Sequence, residues 1–264
     1  MLLILAHHHD AEAKWLYDKL LAETQLKPIL LMPEALGIDY DVTLQLSNNG
    51  RHQASILFYN PNFKIQSEDI TYTINRLSYV DPLIWKNASK KEQLYATNEL
   101  NAFFPAFLHA LPCPVSNPAH NGALGGKTVF LMKWTSYFLS QNVPVHPVVF
   151  DSPDQVYHLL QKTPQNSILR FIQIGNELIT QNGQSVAAGF EGLREIISHN
   201  REKEMAEFIY LIADDEIQLL TITKTPCLSL YSDNITGLIF KLLTSESDDT
   251  INGNTQRNTT TLVG

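Results

Sequence analysis

Leu2-Leu-Ile-Leu-Ala6, His7-His-His-Asp10, Ala11 to Thr24 and Lys27 to Met32 are read together, because their order decides the fold class. The first segment is short and wholly apolar, as a buried strand is. Asp10 is placed to cap a helix, since its carboxylate can accept from a backbone N–H of the first turn. Ala11, Trp15, Leu16, Leu20 and Leu21 then recur near helical spacing. A second apolar run ends at Pro33. Strand, helix and strand inside 32 residues are the opening of a parallel α/β unit.

Outward from this unit, Asp41 to Leu46 and Ala54 to Tyr59 read as strands across the turn signal Asn48-Asn49-Gly50, a hairpin expected at the sheet edge. Ile70 to Ile74 is a further strand ending at Asn75-Arg76. Lys90 to Leu111 is a helix that Pro105 is expected to kink or split. Lys127 to Ser140 and Ser152 to Leu160 read as helices. Ile168 to Ile174 and Glu177 to Thr180 frame a hairpin, and Ala206 to Ala213 pairs with Gln218 to Thr223. Glu191 to Asn200 and Asn234 to Leu243 complete the helices, the latter packing Leu238, Ile239 and Leu242 inward. From Thr244 the chain is polar and almost free of apolar residues, the composition of a disordered tail.

The totals exclude several classes. A chain of 264 residues with 44% apolar and 17% charged content is globular and long enough for a sizeable core. A net charge of −8, with no Lys/Arg cluster, opposes a nucleic-acid partner, which requires a basic field to displace counterions. Cys113 and Cys227 are too few for a disulfide scaffold and are expected to be reduced. The run Met1 to Ala6 falls far short of the roughly 20 residues that span a bilayer. The expectation is a cytoplasmic protein with no signal peptide and no membrane partner.

Glu216-Ile-Gln-Leu-Leu-Thr-Ile-Thr223, followed by Lys224-Thr225-Pro226, has the cadence of a strand that carries metal ligands in phosphoryl-transfer enzymes. Thr221 and Thr223 stand where acid and amide ligands would be. Mg²⁺ is a hard cation that takes carboxylate and carbonyl oxygens, and a neutral hydroxyl does not replace a bridging carboxylate.

Together these segments resemble the ATP-grasp ligase-like family of bacterial peptide-tailoring pathways. The resemblance is carried by Leu2 to Ala6 leading to Asp10, and by Ile74-Asn75-Arg76-Leu77. It continues through Leu111-Pro-Cys-Pro-Val-Ser-Asn117-Pro118, with Gly122, Leu124, Gly125, Lys127 and Trp134 after it, and through Asn142-Val-Pro-Val145. Ile172 to Ile179 is similar to the family's Gly-containing hairpin, and Leu220 to Pro226 to its metal strand. The implied fold is α/β: a Rossmann-like pre-ATP-grasp domain over residues 1–145, then a reduced, truncated α+β ATP-grasp-like domain over 146–243, then the tail over 244–264. Measured against that family, Thr221 and Thr223 occupy degenerate metal positions, and the span from Phe150 to Arg170 is too short for a nucleotide-clamping lid.

The resemblance therefore implies a degenerate member: a non-catalytic accessory or peptide-binding pseudoenzyme of a peptide-modification or natural-product pathway, with no cofactor. It would act with a protein partner, another copy of itself or a peptide substrate. Two enzymatic alternatives stand beside it. One is a carboxylate–amine ligase using ATP and Mg²⁺ through atypical ligands. The other is a metal hydrolase built on His7, His9 and Asp10, a run that faintly resembles the opening of zinc deacetylases. A simple small-molecule binding module is a further reading.

Asn75, Arg76, Asn117, His120 and Lys127 are the candidate ligand-binding residues. Arg76 has the bidentate geometry that holds a carboxylate or phosphate, or else it locks the sheet through a salt bridge to Glu99 or Asp81. Gly122 to Thr128 nearly spells a phosphate loop but misses its spacing by one position, and a packed junction is the plainer reading. The aromatic stretch Ala102 to Leu108 is either core or the seam to a partner.

Overall fold

The protein is described from a computed structural model over residues 1–45, 53–59, 62–80, 85–120, 124, 130–147, 153–174, 177–181, 205–213, 216–240 and 243. The opening unit forms as its pattern requires. Strand β1 (Leu2–Leu5) leads into helix α1 (Ala11–Glu23), and β2 (Ile29–Leu31) returns parallel to β1, with Leu3 opposite Ile29. Asp10 is the N-cap of α1, its Oδ1 accepting from Ala13 N–H at 3.0 Å.

Strand β6 (Tyr72–Asn75) lies on the other side of β1, and the short β7 (Val115–Ser116) continues outward, giving the parallel order β2-β1-β6-β7. Strand β1 is covered on both faces, so its apolar run needs no alternation. Leu2, Ile4 and Ala6 join the cluster that holds Leu16 and Leu20 of α1, while Leu3 and Leu5 join Phe104, Phe107 and Leu108 of helix α2 (Lys90–Ala110). The stretch from Ala102 to Leu108 is thus largely core, not the seam to a partner. Helix α2 runs through Pro105 as one helix and is started by a capping box between Ser89 and Glu92.

The hairpin of β3 (Tyr40–Gln45) and β4 (Gln53–Tyr59) is antiparallel, as the turn signal implies. It does not sit at the edge of the parallel sheet. A strand unread in the sequence, β5 (Asn62–Gln66), joins it in a separate three-stranded sheet. That sheet lays Ala54, Ile56 and Ile65 against the apolar residues of α2.

The remaining sheet is antiparallel, ordered β11-β10-β8-β9 from β8 (Ile168–Ile174), β9 (Glu177–Thr180), β10 (Ala206–Ala213) and β11 (Glu216–Thr223). Helix α3 (Phe130–Ser140) covers one face, where Trp134 and Phe138 pack on Phe171, Phe208 and Tyr210. Helix α4 (Pro153–Lys162) covers part of the other through Val156, against Ile168, Ile209 and Leu220. A bulge between Ile209 and Tyr210 shifts the pairing with β11.

A last helix, α5, runs over residues 232–240. Its Ile235, Leu238 and Ile239 share a cluster with Leu2 and Ile4 of β1 and with Ile172 and Ile174 of β8. The first and last parts of the chain are therefore held on one apolar core. The helix read over Glu191 to Asn200, Leu242, and the tail from Thr244 lie outside the described residues. No described helix is long and apolar enough to cross a membrane, and neither cysteine is in a disulfide.

Candidate functional site

In a parallel sheet the carboxyl ends of neighbouring strands emerge along one edge, where ligands collect. Strands β1, β6 and β7 are such neighbours, so the loop His7 to Asp10, the pair Asn75-Arg76, and Asn117 all gather there. Arg76 is only 4% exposed. Its Nε donates to Asp10 Oδ2 at 2.7 Å and its Nη2 to Asp10 Oδ1 at 3.2 Å. Nη1 donates to the Pro226 carbonyl at 3.1 Å. The salt-bridge partner is thus Asp10, not Glu99, and Asp81 lies outside the described residues. Burial pushes the Asp10 carboxyl up; the hydrogen bonds and charge of Arg76, with the Ala13 and Glu12 amides, outweigh that and hold it below its ordinary value.

Asn75 and Asn117 are equally engaged. The Asn75 amide donates to the carbonyls of Asn117 and Leu124, both at 2.8 Å, and its oxygen accepts from Leu77 N–H. Asn117 adopts φ 54°, a left-handed conformation that asparagine tolerates better than most residues. From there its amide donates to the carbonyls of Asn75 and Lys224, and its oxygen accepts from Met205 N–H. These residues form a buried polar knot that ties the parallel sheet to the segment leaving β11. Asn117→Ala removes three of its bonds and is expected to cost about 2–3 kcal/mol of stability in denaturant titration. His120 is exposed and takes no part in the knot; Lys127 lies outside the described residues.

A second set of contacts links the same segments. Glu12, in the first turn of α1, accepts from Ser229 N–H at 2.7 Å and from Ser229 Oγ at 2.9 Å, and the Cys227 thiol reaches it at 3.6 Å. Burial, with the charges of Glu12 and Glu207, pushes the Cys227 thiol up to about 11. Cys227 is therefore held as a thiol and is a poor nucleophile.

The loop after β1 carries another constellation. His7 Nδ1 lies 2.7 Å from Glu34 Oε1, and His8 Nδ1 lies 3.4 Å from the same oxygen. The His7 ring stacks on His9 with centroids 5.1 Å apart and meets Tyr79 at 4.4 Å. His7, His9 and Glu34 each bring a metal-ligating atom within 4.8 Å of the others. Asp10 is the cap of α1, as the sequence implies, and the partner of Arg76; the metal-hydrolase alternative makes it the acid of this group, a place that Glu34 takes instead. Glu34 went unread because it lies beyond β2, distant in sequence.

Thr221 and Thr223 lie opposite Ile209 and Glu207 in the register of β10 and β11. Cross-strand partners share a face, and that face also carries Arg170, opposite Ile209 on β8. Arg170 Nη1 donates to Glu207 Oε1 at 3.1 Å; Tyr231 Oη donates to the same oxygen, and Cys227 N–H to Oε2. Thr223 Oγ1 meets Thr225 Oγ1 at 3.1 Å and accepts from Thr225 N–H. Among the described residues of β8, β10 and β11, only Glu207 offers a carboxylate near the threonines. Both its oxygens are engaged, and a guanidinium stands beside them. These residues do not fit Mg²⁺, which needs free oxygen ligands.

The sequence matches no protein-family model and no curated protein. Solved structures do match. A RiPP-associated ATP-grasp ligase of Chryseobacterium gregarium, in complex with ADP and a leader and core peptide, aligns with TM-score 0.61 at 12% identity, over 93% of this chain and 96% of that one. The macrocyclase MdnC of Microcystis aeruginosa MRC, bound with precursor peptide MdnA, aligns with TM-score 0.64 at 10% identity, over 92% and 99%. The ATP-grasp ligase PsnB, captured with minimal precursor, Mg and ADP, aligns with TM-score 0.58 at 10% identity, over 93% and 97%. Those nucleotide- and Mg-bound states overturn the expectation of a protein without a cofactor. At 10–12% identity the likeness shows the fold, and it does not single out a truncated, degenerate member. The chain is a mixed α/β protein with an ATP-grasp-like fold.

Proposed function

We propose that this protein is a nucleotide-dependent ligase of peptide modification, joining carboxyl to amine groups within a peptide substrate. The observation that supports this reading is the likeness to peptide ligases and macrocyclases over more than nine-tenths of this chain. Several of those proteins were captured with ADP, with Mg and ADP, or with precursor peptide. ATP, when bound, would supply the energy that activates a carboxylate toward an amine. This chain's own contribution is the polar knot of Asp10, Asn75, Arg76 and Asn117, which fixes the exit of β11 against the parallel sheet. At the strand end Thr221 and Thr223 stand beside the Arg170–Glu207 pair, where an open carboxylate would be expected.

That same feature favours a second reading, an accessory protein that holds peptide and nucleotide without turnover. Calorimetric titration with ADP and AMPPNP separates the two from the rest. Both nucleotides are expected to bind, and EDTA to weaken binding without abolishing it, since the described strand residues leave no open carboxylate for Mg²⁺. Absence of heat at millimolar nucleotide sinks both readings. Phosphate release that requires a precursor peptide selects the ligase, and binding without release selects the accessory role.

A further inference from the structure

Two polar atoms in the loop region after β1 are buried without a hydrogen-bond partner: Nε2 of His7 and Oε2 of Glu34. His7 is 6% exposed and Glu34 8% exposed. Buried polar atoms are nearly always paired, because an unpartnered one keeps its desolvation penalty. The pairing around them is specific. His7 Nδ1 and Glu34 Oε1 meet at 2.7 Å, and the second oxygen of Glu34 is left as an acceptor with no donor.

A cation satisfies such a pair. We propose that His7, His9 and Glu34 form a binding site for a borderline divalent transition cation, with Zn²⁺ as its type. Their donor atoms already lie within 4.8 Å of one another, and His9 is exposed, so side-chain rotation suffices to close that separation to a common ion. Two imidazoles and one carboxylate suit zinc and its neighbours and suit Mg²⁺ or Ca²⁺ poorly. The ion takes the place of the proton in the 2.7 Å contact, with His7 Nδ1, a Glu34 oxygen and His9 as its donors. The ring of Tyr79 packs against His7 and fixes the imidazole. His8 Nδ1, 3.4 Å from Glu34 Oε1, is near enough to serve as a fourth ligand.

The site differs from any Mg²⁺ site at the end of β11. It rests on a different sheet and on nitrogen donors, and nothing in it depends on nucleotide. Glu34 also lines a cavity of about 380 Å³ with Leu36, Val42, Trp85, Leu100 and Phe103, so metal occupancy and the shape of that cavity share one side chain.

The test uses the full chain dialysed against Zn²⁺, without nucleotide or peptide, followed by elemental analysis and by visible spectra of the Co²⁺-substituted protein. About one equivalent of zinc is expected, with d–d bands of a low-coordinate site. His9→Ala removes only an exposed ring and is expected to weaken zinc binding at least about tenfold, as is Glu34→Gln. His158→Ala, an exposed histidine on α4, is expected to bind as the parent does. The proposal is overturned by absence of zinc, by unchanged affinity in His9→Ala, or by an equal loss in His158→Ala.

Discussion

Arg76→Ala is expected to destabilise the protein by about 3–5 kcal/mol, the range for removing one partner of a buried ion pair. The Arg76 side chain is 3% exposed and that of Asp10 15%, so water replaces little of what is lost. The substitution strands the Asp10 carboxylate and leaves the Pro226 carbonyl without its donor. Chemical denaturation at neutral pH measures the loss. Asp10→Asn keeps the cap of α1 and is expected to cost less.

The same pair predicts an acid dependence. The Asp10 carboxyl is held below its ordinary value in the folded protein. Its contribution is therefore complete above the unfolded carboxylate pKa and is lost as pH falls through the depressed folded value. Arg76→Ala is expected to flatten the fall in stability below about pH 4. An equally steep acid transition in the variant refutes the pairing. If Arg76 instead acted chiefly on a ligand, the variant would keep its stability and lose affinity alone.

Glu207→Ala is the second large effect, again about 3–5 kcal/mol. Glu207 is 2% exposed and accepts from Arg170, Tyr231 and the Cys227 amide. Alanine leaves a guanidinium, a phenol and a backbone N–H without that acceptor, inside the region where the first and last parts of the chain share a core. Glu207→Gln keeps an acceptor for Arg170 and Tyr231 but turns an amide toward Cys227 N–H, so an intermediate loss is expected. A double replacement, Arg170→Met with Glu207→Leu, is expected to recover much of the stability, because it removes the buried charges together. Equal losses in the alanine and double variants contradict this account. Burial, and then the Glu207 charge, raise the Tyr231 phenol above its ordinary value, so it stays a hydrogen-bond donor to Glu207.

Much of the architecture was legible locally. The apolar run of β1, the cap at Asp10, the helical spacing of α1 and the paired runs of β8 with β9 and β10 with β11 each follow from a few neighbouring residues. Periodicity and capping act over one or two turns, so a linear reading captures them. Strand β5 escaped because Asn62-Phe-Lys-Ile-Gln66 buries only Ile65 among its five residues, too little contrast to mark a strand. The placement of the β3–β4 hairpin in its own sheet depends on β5 and on the face of α2 that receives it.

The candidate residues divide along the same line. His7, His9, Asp10, Asn75, Arg76 and Asn117 could be singled out because strand ends in a parallel sheet share an edge, and strand order follows from connectivity. Their partners could not. Asp10 meets Arg76 across 66 residues, Asn117 meets Lys224 across 107, and Arg76 meets Pro226 across 150. Which carboxylate answers which cation is decided by packing of one apolar core from both parts of the chain. Chain order alone settled that β1, α1 and β2 form a parallel unit, since that rests on local burial and handed connections. Only the tertiary structure joined the capping carboxylate of Asp10 to Arg76 and brought Glu34 to His7, because charge pairing acts through space at a few ångströms and is blind to sequence distance.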